Sequence, residues 1–374
     1  MRNRLSAIIL AGILLPTVSF GQSLTTSYRI VSSAVPFLTI SPDSRGAAMG
    51  DAGVASTPDA ASIHWNTAKL ARVESNGGAF ISVSPWLKDI VGDMNLYSAG
   101  GFKKLKNGMV GTVGISYFDQ GLIEFTTNEG ASAGSFDSKE FAIAAGLAMQ
   151  LGPDISGGLN LKFVNSNLLG NQAANGQAST PARTVAGDLS IYYNKKRPGE
   201  MKKTDFAAGL NLSNIGGKVN YGRSYEYFLP MNFKIGTRFS VLPDVNNKFN
   251  FLLDFNKLMV PTPLADNTLP TYGTFTAIYK SFGDAPGGFS EEIREVTTSL
   301  GAEYIYQDLI AVRTGYFFEP VSKGNRKYIT MGAGLTLAKR YGLDLAYLIP
   351  TNAGNPLANT WRISLNLKAD ALKK

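Results

Sequence analysis

"FAIAAGLAM", residues 141–149, sorts its side chains with a period of two: Phe141, Ile143, Ala145, Leu147 and Met149 on one side, Ala142, Ala144, Gly146 and Ala148 on the other. Successive side chains of a strand point to opposite faces, so this stretch reads as a β-strand with one large apolar face and one small face. Val185 to Tyr193 repeats the pattern, with Val185, Leu189, Ile191 and Tyr193 opposing Ala186, Asp188, Ser190 and Tyr192. In 231–241, Phe233, Ile235, Phe239 and Val241 oppose Asn232, Lys234, Gly236, Arg238 and Ser240. Lys234 and Arg238 would be costly on the inner face of a soluble sandwich, because a desolvated, unpaired charge is expensive. On the wet lumen of a membrane barrel they would cost little.

The same rule places strands at 77–84, 94–103, 109–118, 139–150, 155–164, 184–193, 205–213, 231–241, 248–256, 296–305, 309–317, 328–338, 342–349 and 360–367. Their number is even, as in closed bacterial barrels. Most reach the roughly 9–11 residues that a tilted strand needs to cross a bilayer. The connections 104–108, 151–154, 306–308 and 339–341 are short, whereas 119–138, 165–183, 214–230 and 257–295 are long. Lengths therefore alternate with strand parity, as expected of short periplasmic turns and long outer loops. A secreted β-sandwich or propeller shares the alternation of side chains but not this alternation of loops. The expected fold is all-β: a transmembrane antiparallel β-barrel of about 14 strands, both mature termini periplasmic, with an N-terminal hatch or plug segment. Two segments sit awkwardly: 271–280 looks strand-like inside the longest connection, as a strand extension or loop hairpin, and 194–204 is long for a periplasmic turn. Tyr117, Phe118, Tyr193, Tyr304, Tyr316, Phe317 and Trp361 near strand ends suit an interfacial aromatic girdle.

Residues 1–21 read as an export signal, with Arg2 and Arg4 before the apolar Leu5–Leu15 and a small-x-small site at Ser19-Phe20-Gly21. Its removal takes two arginines and no acid, lowering the formal charge from +8 to +6, with no basic stripe to propose a nucleic-acid partner. Zero cysteines exclude a disulfide framework, a thiolate zinc site and an acylated lipoprotein cysteine. Beyond residue 21 no stretch approaches the roughly 20 apolar residues of a membrane-spanning helix. The implied organisation is signal peptide 1–21, hatch 22–76, barrel 77–368 and a tail 369–374.

Ahead of the first strand, "SPDSRGAAMGDAGVASTPDAASIHWNTAKLA" (41–71) is rich in small residues. Gly46, Gly50 and Gly53 do not make G-x-G-x-x-G and no Gly-Lys-Ser/Thr follows, so a phosphate-cradling loop is excluded on spacing. Close packing of backbone on backbone is the better reading. Thr57-Pro58 has the look of an N-cap and first turn for a helix through Asp59 to Trp65. His64, the chain's single histidine, lacks companions for a metal site and a G-x-S-x-G elbow for a hydrolase, so it reads as a packed residue beside Trp65. No catalytic residue, metal or cofactor is expected.

The stretch 34–71, "AVPFLTISPDSRGAAMGDAGVASTPDAASIHWNTAKLA", resembles the N-terminal region of the PorV (LptO) family of the Bacteroidetes type IX secretion system, within the wider FadL-like group of barrels. Residues 58–62 and 66–70 occupy the positions of that group's A-D-D-A-S and N-P-A-G-L hatch motif, with Thr67 where proline is usual. The sister barrel PorQ stays open as an alternative. The resemblance implies a hatch built on Pro36, Phe37, Asp43, Arg45, Gly46, Met49, Gly50, Asp51, Asp59, His64, Trp65 and Asn66. It also implies an outer-membrane adaptor, in contact with outer-membrane lipid, that takes C-terminal-signal cargo from the SprA (Sov) translocon barrel to the PorU sortase and attachment complex. FadL-like uptake of hydrophobic small molecules is the alternative, and it predicts an apolar pocket near the hatch. The connection 257–295, with Pro261, Pro263, Pro270, Gly287, Gly288, Glu291, Glu292 and Arg294, is the candidate partner-contact loop, because outer loops tolerate variety while strands hold position.

Overall fold

The computed structural model describes residues 29–369 apart from 89, 128–129, 171–172, 175–176, 198–202, 223–224, 265–267, 269, 353–354 and 356. The expected signal peptide 1–21 and all of the tail except Ala369 lie outside the described residues.

Strands β1 (Gly77–Pro85), β2 (Asn95–Lys104), β3 (Val110–Thr126), β4 (Ser132–Gln150) and β5 (Ile155–Asn167) run antiparallel in chain order. They are followed by β6 (Ala182–Arg197), β7 (Lys203–Gly216), β8 (Asn232–Leu242), β9 (Asn247–Leu258) and β10 (Thr297–Tyr306). The series ends with β11 (Ile310–Phe318), β12 (Lys327–Leu337), β13 (Tyr341–Pro350) and β14 (Trp361–Ala369). Antiparallel pairing of β1 with β14, from Gly77↔Ala369 to Val83↔Ile363, closes the barrel and leaves the sheet no edge. Ala369 is thus strand rather than tail.

The parity read from 141–149 is the parity of the wall. Ile143, Leu147 and Met149 are exposed on the outside, whereas Ala142, Ala144 and Ala148 are buried inside. Val113, Leu161, Val185, Val312 and Leu365 continue the exposed aliphatic coat around the cylinder. An apolar coat over a whole barrel has lipid, not water, as its solvent.

Four expectations change. Residues 274–280 form a helix, α3 (Thr274–Lys280), not a strand extension or hairpin. A closed barrel offers a lone extra strand no free edge to pair with, while a helix satisfies its own backbone. The awkward 194–204 resolves because β6 and β7 run on to Arg197 and from Lys203. Most of 119–138 is likewise strand, with β3 and β4 pairing as far as Thr126↔Ser132. Of the expected girdle, Tyr117 pairs with Tyr97 and Tyr304 stacks on Phe249, but Phe118 and Phe317 face the lumen, stacked on Phe37 and Tyr328. Strand parity puts those two rings inside, and proximity to a strand end does not alter it.

Candidate functional site

The lumen is occupied by the chain's own N-terminal segment. Residues 34–73 fold as a 3-10 helix (Pro36–Thr39), two one-turn helices α1 (Ser44–Ala47) and α2 (Ser62–Trp65), and a second 3-10 helix (Thr67–Arg72). Phe37 packs with Leu96, Phe118 and Val164. Trp65 and Leu70 pack with Phe80, Phe102, Val110 and Ala148. The small face of β4 is small because the second 3-10 helix lies against it and β5.

Trp65 explains two of the glycines. A Cβ on Gly46 would fall 2.4 Å from its ring and one on Gly53 2.3 Å, so the indole lies in a slot that only glycine leaves open. At one edge the indole N–H donates to Asp43 (2.7 Å), whose other oxygen accepts from the Gly46 amide and caps α1. Gly50 is the case of backbone on backbone. It sits at φ +67°, and a Cβ on Gly315 of β11 would meet its nitrogen at 2.1 Å. Met49, one residue before, packs on Ala52 and Leu252.

Polar ties then run to the wall in several directions. Arg45 donates from Nε and Nη2 to both oxygens of Glu303 (2.9 Å each) and from Nη1 to Asp59 (2.9 Å). Glu303 also accepts from Arg313 (2.8 Å), and Arg313 reaches Asp344 (2.6 Å), so the network crosses β10, β11 and β13. Asp254 of β9 accepts from the amides of Gly53 and Val54, and Thr330 of β12 accepts from that of Gly50. Asp51 accepts from Ser41 and Tyr328, and Asn160 of β5 donates to the Ile63 carbonyl. Asn66 caps the second 3-10 helix through Ala68 and donates to the carbonyls of Val54 and Ile191. The structure thus brings Pro36, Phe37, Asp43, Arg45, Gly46, Met49, Gly50, Asp51, Asp59, His64, Trp65 and Asn66 together in one lumenal segment.

Two details depart from expectation. α2 begins at Ser62, not near Pro58, because Thr57 gives its carbonyl and hydroxyl to Arg45, and Asp59 binds the Ser62 hydroxyl. The lumen around Lys234 and Arg238 is not simply wet. Arg238 is 1% exposed, bonded to Asp205 and the Ala55 carbonyl, and the Lys234 ammonium lies 5.2 Å from the Trp65 ring centroid. Sequence reasoning also passed over Lys69, fully buried with its ammonium on Gly53 O (2.7 Å) and Ser56 Oγ (2.8 Å), and the wall residues Glu303, Asp254 and Thr330. Their inward parity was the available signal.

His64 is packed in the lumen: its ring stands edge-on to Phe80 at 5.7 Å, and Nε2 has no hydrogen-bond partner among the described residues. Burial, reinforced by the Lys162 ammonium, pushes the imidazole pKa down to about 4. One lumenal cavity of about 90 Å³ is lined by Asp51, Lys234, Asp254 and Arg362 together with Trp86, Phe317, Tyr328 and Leu357, and another of about 40 Å³ lies beside Phe37, His64 and Lys162.

The connection between β9 and β10 folds into a flap carrying α3 and α4 (Phe289–Arg294). Glu291 pairs with Lys323 (2.7 Å) and Arg29 (2.9 Å), Glu292 with Lys257 (2.9 Å), and Glu295 with Lys257 (2.6 Å) and Lys323 (2.8 Å). Of the expected partner-contact residues, Pro261, Pro263, Glu291 and Glu292 are therefore buried within the flap. Pro270 is half-buried, and Gly287, Gly288 and Arg294 are exposed.

The family model of type IX secretion system protein PorV matches residues 23–265, which takes in the whole lumenal segment and the first nine strands. The chain belongs to the PorV family. It is thereby a component of the type IX secretion system, and its barrel places it in the outer membrane. Among solved structures, the Ralstonia pickettii toluene transporter TbuX is similar with a TM-score of 0.51 at 10% identity, covering 88% of this chain and 99% of its own. The Pseudomonas putida toluene transporter TodX gives 0.51 at 13% identity, with 86% and 95% covered. A Pseudomonas aeruginosa FadL homologue gives 0.43 at 12%, with 91% and 99% covered. At such identities the likeness is one of fold. The comparison with curated proteins gives no match.

Proposed function

We propose that this PorV-family chain is a non-enzymatic adaptor that works at its rim: it receives cargo through the C-terminal signal domain at the SprA (Sov) translocon and hands it to the PorU sortase and attachment complex. The observation that carries this reading is the tied-down lumenal segment. It acts as a plug bonded to strands around the barrel, and a residual cavity beside it, about 90 Å³, is smaller than the ~150 Å³ that accommodates a benzene and carries Asp51, Lys234, Asp254 and Arg362 among its aromatic lining. A protein whose interior is filled this way has its working surface outside. The short-turn end and both mature termini then lie in the periplasm, and the long connections face the cell surface. There the flap presents Gly287, Gly288, Phe289 and Arg294 to a protein partner, its buried ion pairs holding that surface in place.

The test is purification of the tagged chain from native outer membranes with mass spectrometry of what accompanies it. The adaptor reading expects a giant translocon barrel and proteins bearing the C-terminal signal domain, together with a secretion defect on deletion of the gene. Neither partner in the eluate, with cargo secretion intact in the deletion strain, would overturn it.

A further inference from the structure

Most outward side chains of the wall meet lipid, but three near the long-connection ends of β7, β8 and β9 do not. Leu212 and Phe233 pack in a cluster with Ala277 and Ile278 of α3. Lys257 faces outward from β9 yet is buried, paired with Glu292 and Glu295 and 5.9 Å from the Phe282 ring centroid. Phe282 stands edge-on to Phe233 at 5.9 Å, and the Thr274 hydroxyl donates to the Gly216 carbonyl at 3.3 Å. α3 therefore lies against the outer side of the wall rather than across the mouth. Its far side carries Phe275 and Tyr279, one turn apart and 82% and 83% exposed, with the Lys280 ammonium alongside, 4.2 Å from the Tyr272 ring centroid.

Position identifies the occupant. A helix seated on lipid-facing side chains turns its outer surface to the medium that the neighbouring wall faces, so its exposed rings continue an interface that is already lipid. Aromatic rings are favoured at the level of the headgroups, where one end is apolar and the other wet, and a lysine beside them meets anionic headgroups. We infer that α3 is an interfacial anchor: Phe275 and Tyr279 enter the leaflet on the long-connection side at the headgroup level, extend the belt over β7–β9, and keep the Lys257 ion pairs screened from hydrocarbon. This goes beyond the adaptor role and depends only on the barrel being in a bilayer.

The chain has no cysteine, so single-cysteine variants carry a nitroxide at one chosen site. Phe275→Cys and Tyr279→Cys, labelled and refolded into phosphatidylcholine–phosphatidylglycerol vesicles, are compared by power saturation with Val113→Cys on the bare lipid-facing wall and Arg294→Cys on the flap. The Val113 site also reports whether each preparation contains an inserted barrel. An oxygen-to-nickel accessibility ratio at 275 and 279 several-fold above that at 294 is expected. A ratio equal to that at 294 overturns the anchor, and so do labels in native outer membranes shielded from both reagents, which would place a protein on α3.

Discussion

The lumenal segment and the rim flap are both irregular chain held by buried ion pairs, yet they turn opposite ways. In the segment, Arg45 and Glu303 are joined across 258 residues of sequence, and everything around them is covered by the wall. In the flap, Lys257 from the end of β9 meets Lys323, Glu291, Glu292 and Glu295 from two connections, while Phe275, Tyr279 and Phe289 stay exposed. The first network holds a segment inside the barrel and the second holds a surface out. A buried pair is poor evidence for net stability, because desolvation cancels much of the attraction. Removing one partner is a different matter. The comparison therefore breaks most sharply in variants that leave a charge alone.

Arg45→Met is the largest effect expected. It leaves Glu303 with one cation, Arg313, and the Asn250 amide, and takes from Asp59 its arginine, so the loss should approach the roughly 3–5 kcal/mol of breaking a buried pair. Urea unfolding of the reconstituted barrel should show that loss, and proteolysis should reach the segment first. The double variant Arg45→Met/Glu303→Leu should recover part of it. If the single variant unfolds like wild type, the lumenal tie is not holding the segment.

The next effect is one of pH. The His64 imidazole is held near 4 in the folded chain against an ordinary value near 6.5, so between those values the unfolded chain binds the extra proton. Stability from this group is complete above about pH 6.5 and falls with falling pH by up to about 1.4 kcal/mol per unit, until it levels below pH 4. Burial is the main cause, Lys162 adds to it, and Asp188 and the Ala99 backbone oppose it. Comparing wild type with His64→Gln at pH 7 and pH 4.5 isolates the contribution: the variant should lose less. Equal losses would mean that the imidazole is not buried neutral.

Gly53→Val should cost about 1–3 kcal/mol, in the range of an overpacked core, because its Cβ would fall against the Trp65 ring. Trp65→Leu in the same chain should relieve most of that strain, an outcome that a loss due only to backbone freedom would not give.

These residues also show what could be read without coordinates. All fourteen strands were legible, because lipid on one side and a packed interior on the other force every side chain to declare its face. The lumenal cluster was legible as a set, since its glycines, Trp65 and Asn66 crowd one short stretch. Its partners were not: nothing at position 45 names position 303, and only closure of the barrel sets them face to face. α3 was misread because "TYGTFTAIYK" alternates like a strand, and the reason it cannot be one, the missing sheet edge, belongs to the whole barrel. Glu291 and Glu292 read as contacts for a partner for the same kind of reason, since Lys323, the cation that Glu291 binds, comes from a different connection.

The smallest expected effect separates the two regions most cleanly. Lys323→Met removes the cation that joins Glu291 to Glu295 and leaves the two carboxylates close together. The flap contributes little to closing the barrel, so the unfolding midpoint should move by less than about 1 kcal/mol, as for a locally opening unit. The flap itself should loosen, and limited proteolysis should cut within 264–290 faster than in wild type while residues 34–73 stay protected. Arg45→Met should give the reverse order of cutting. If Lys323→Met instead exposes the lumenal segment, the two networks form one cooperative unit, and a rim surface held independently of the plug is no longer tenable.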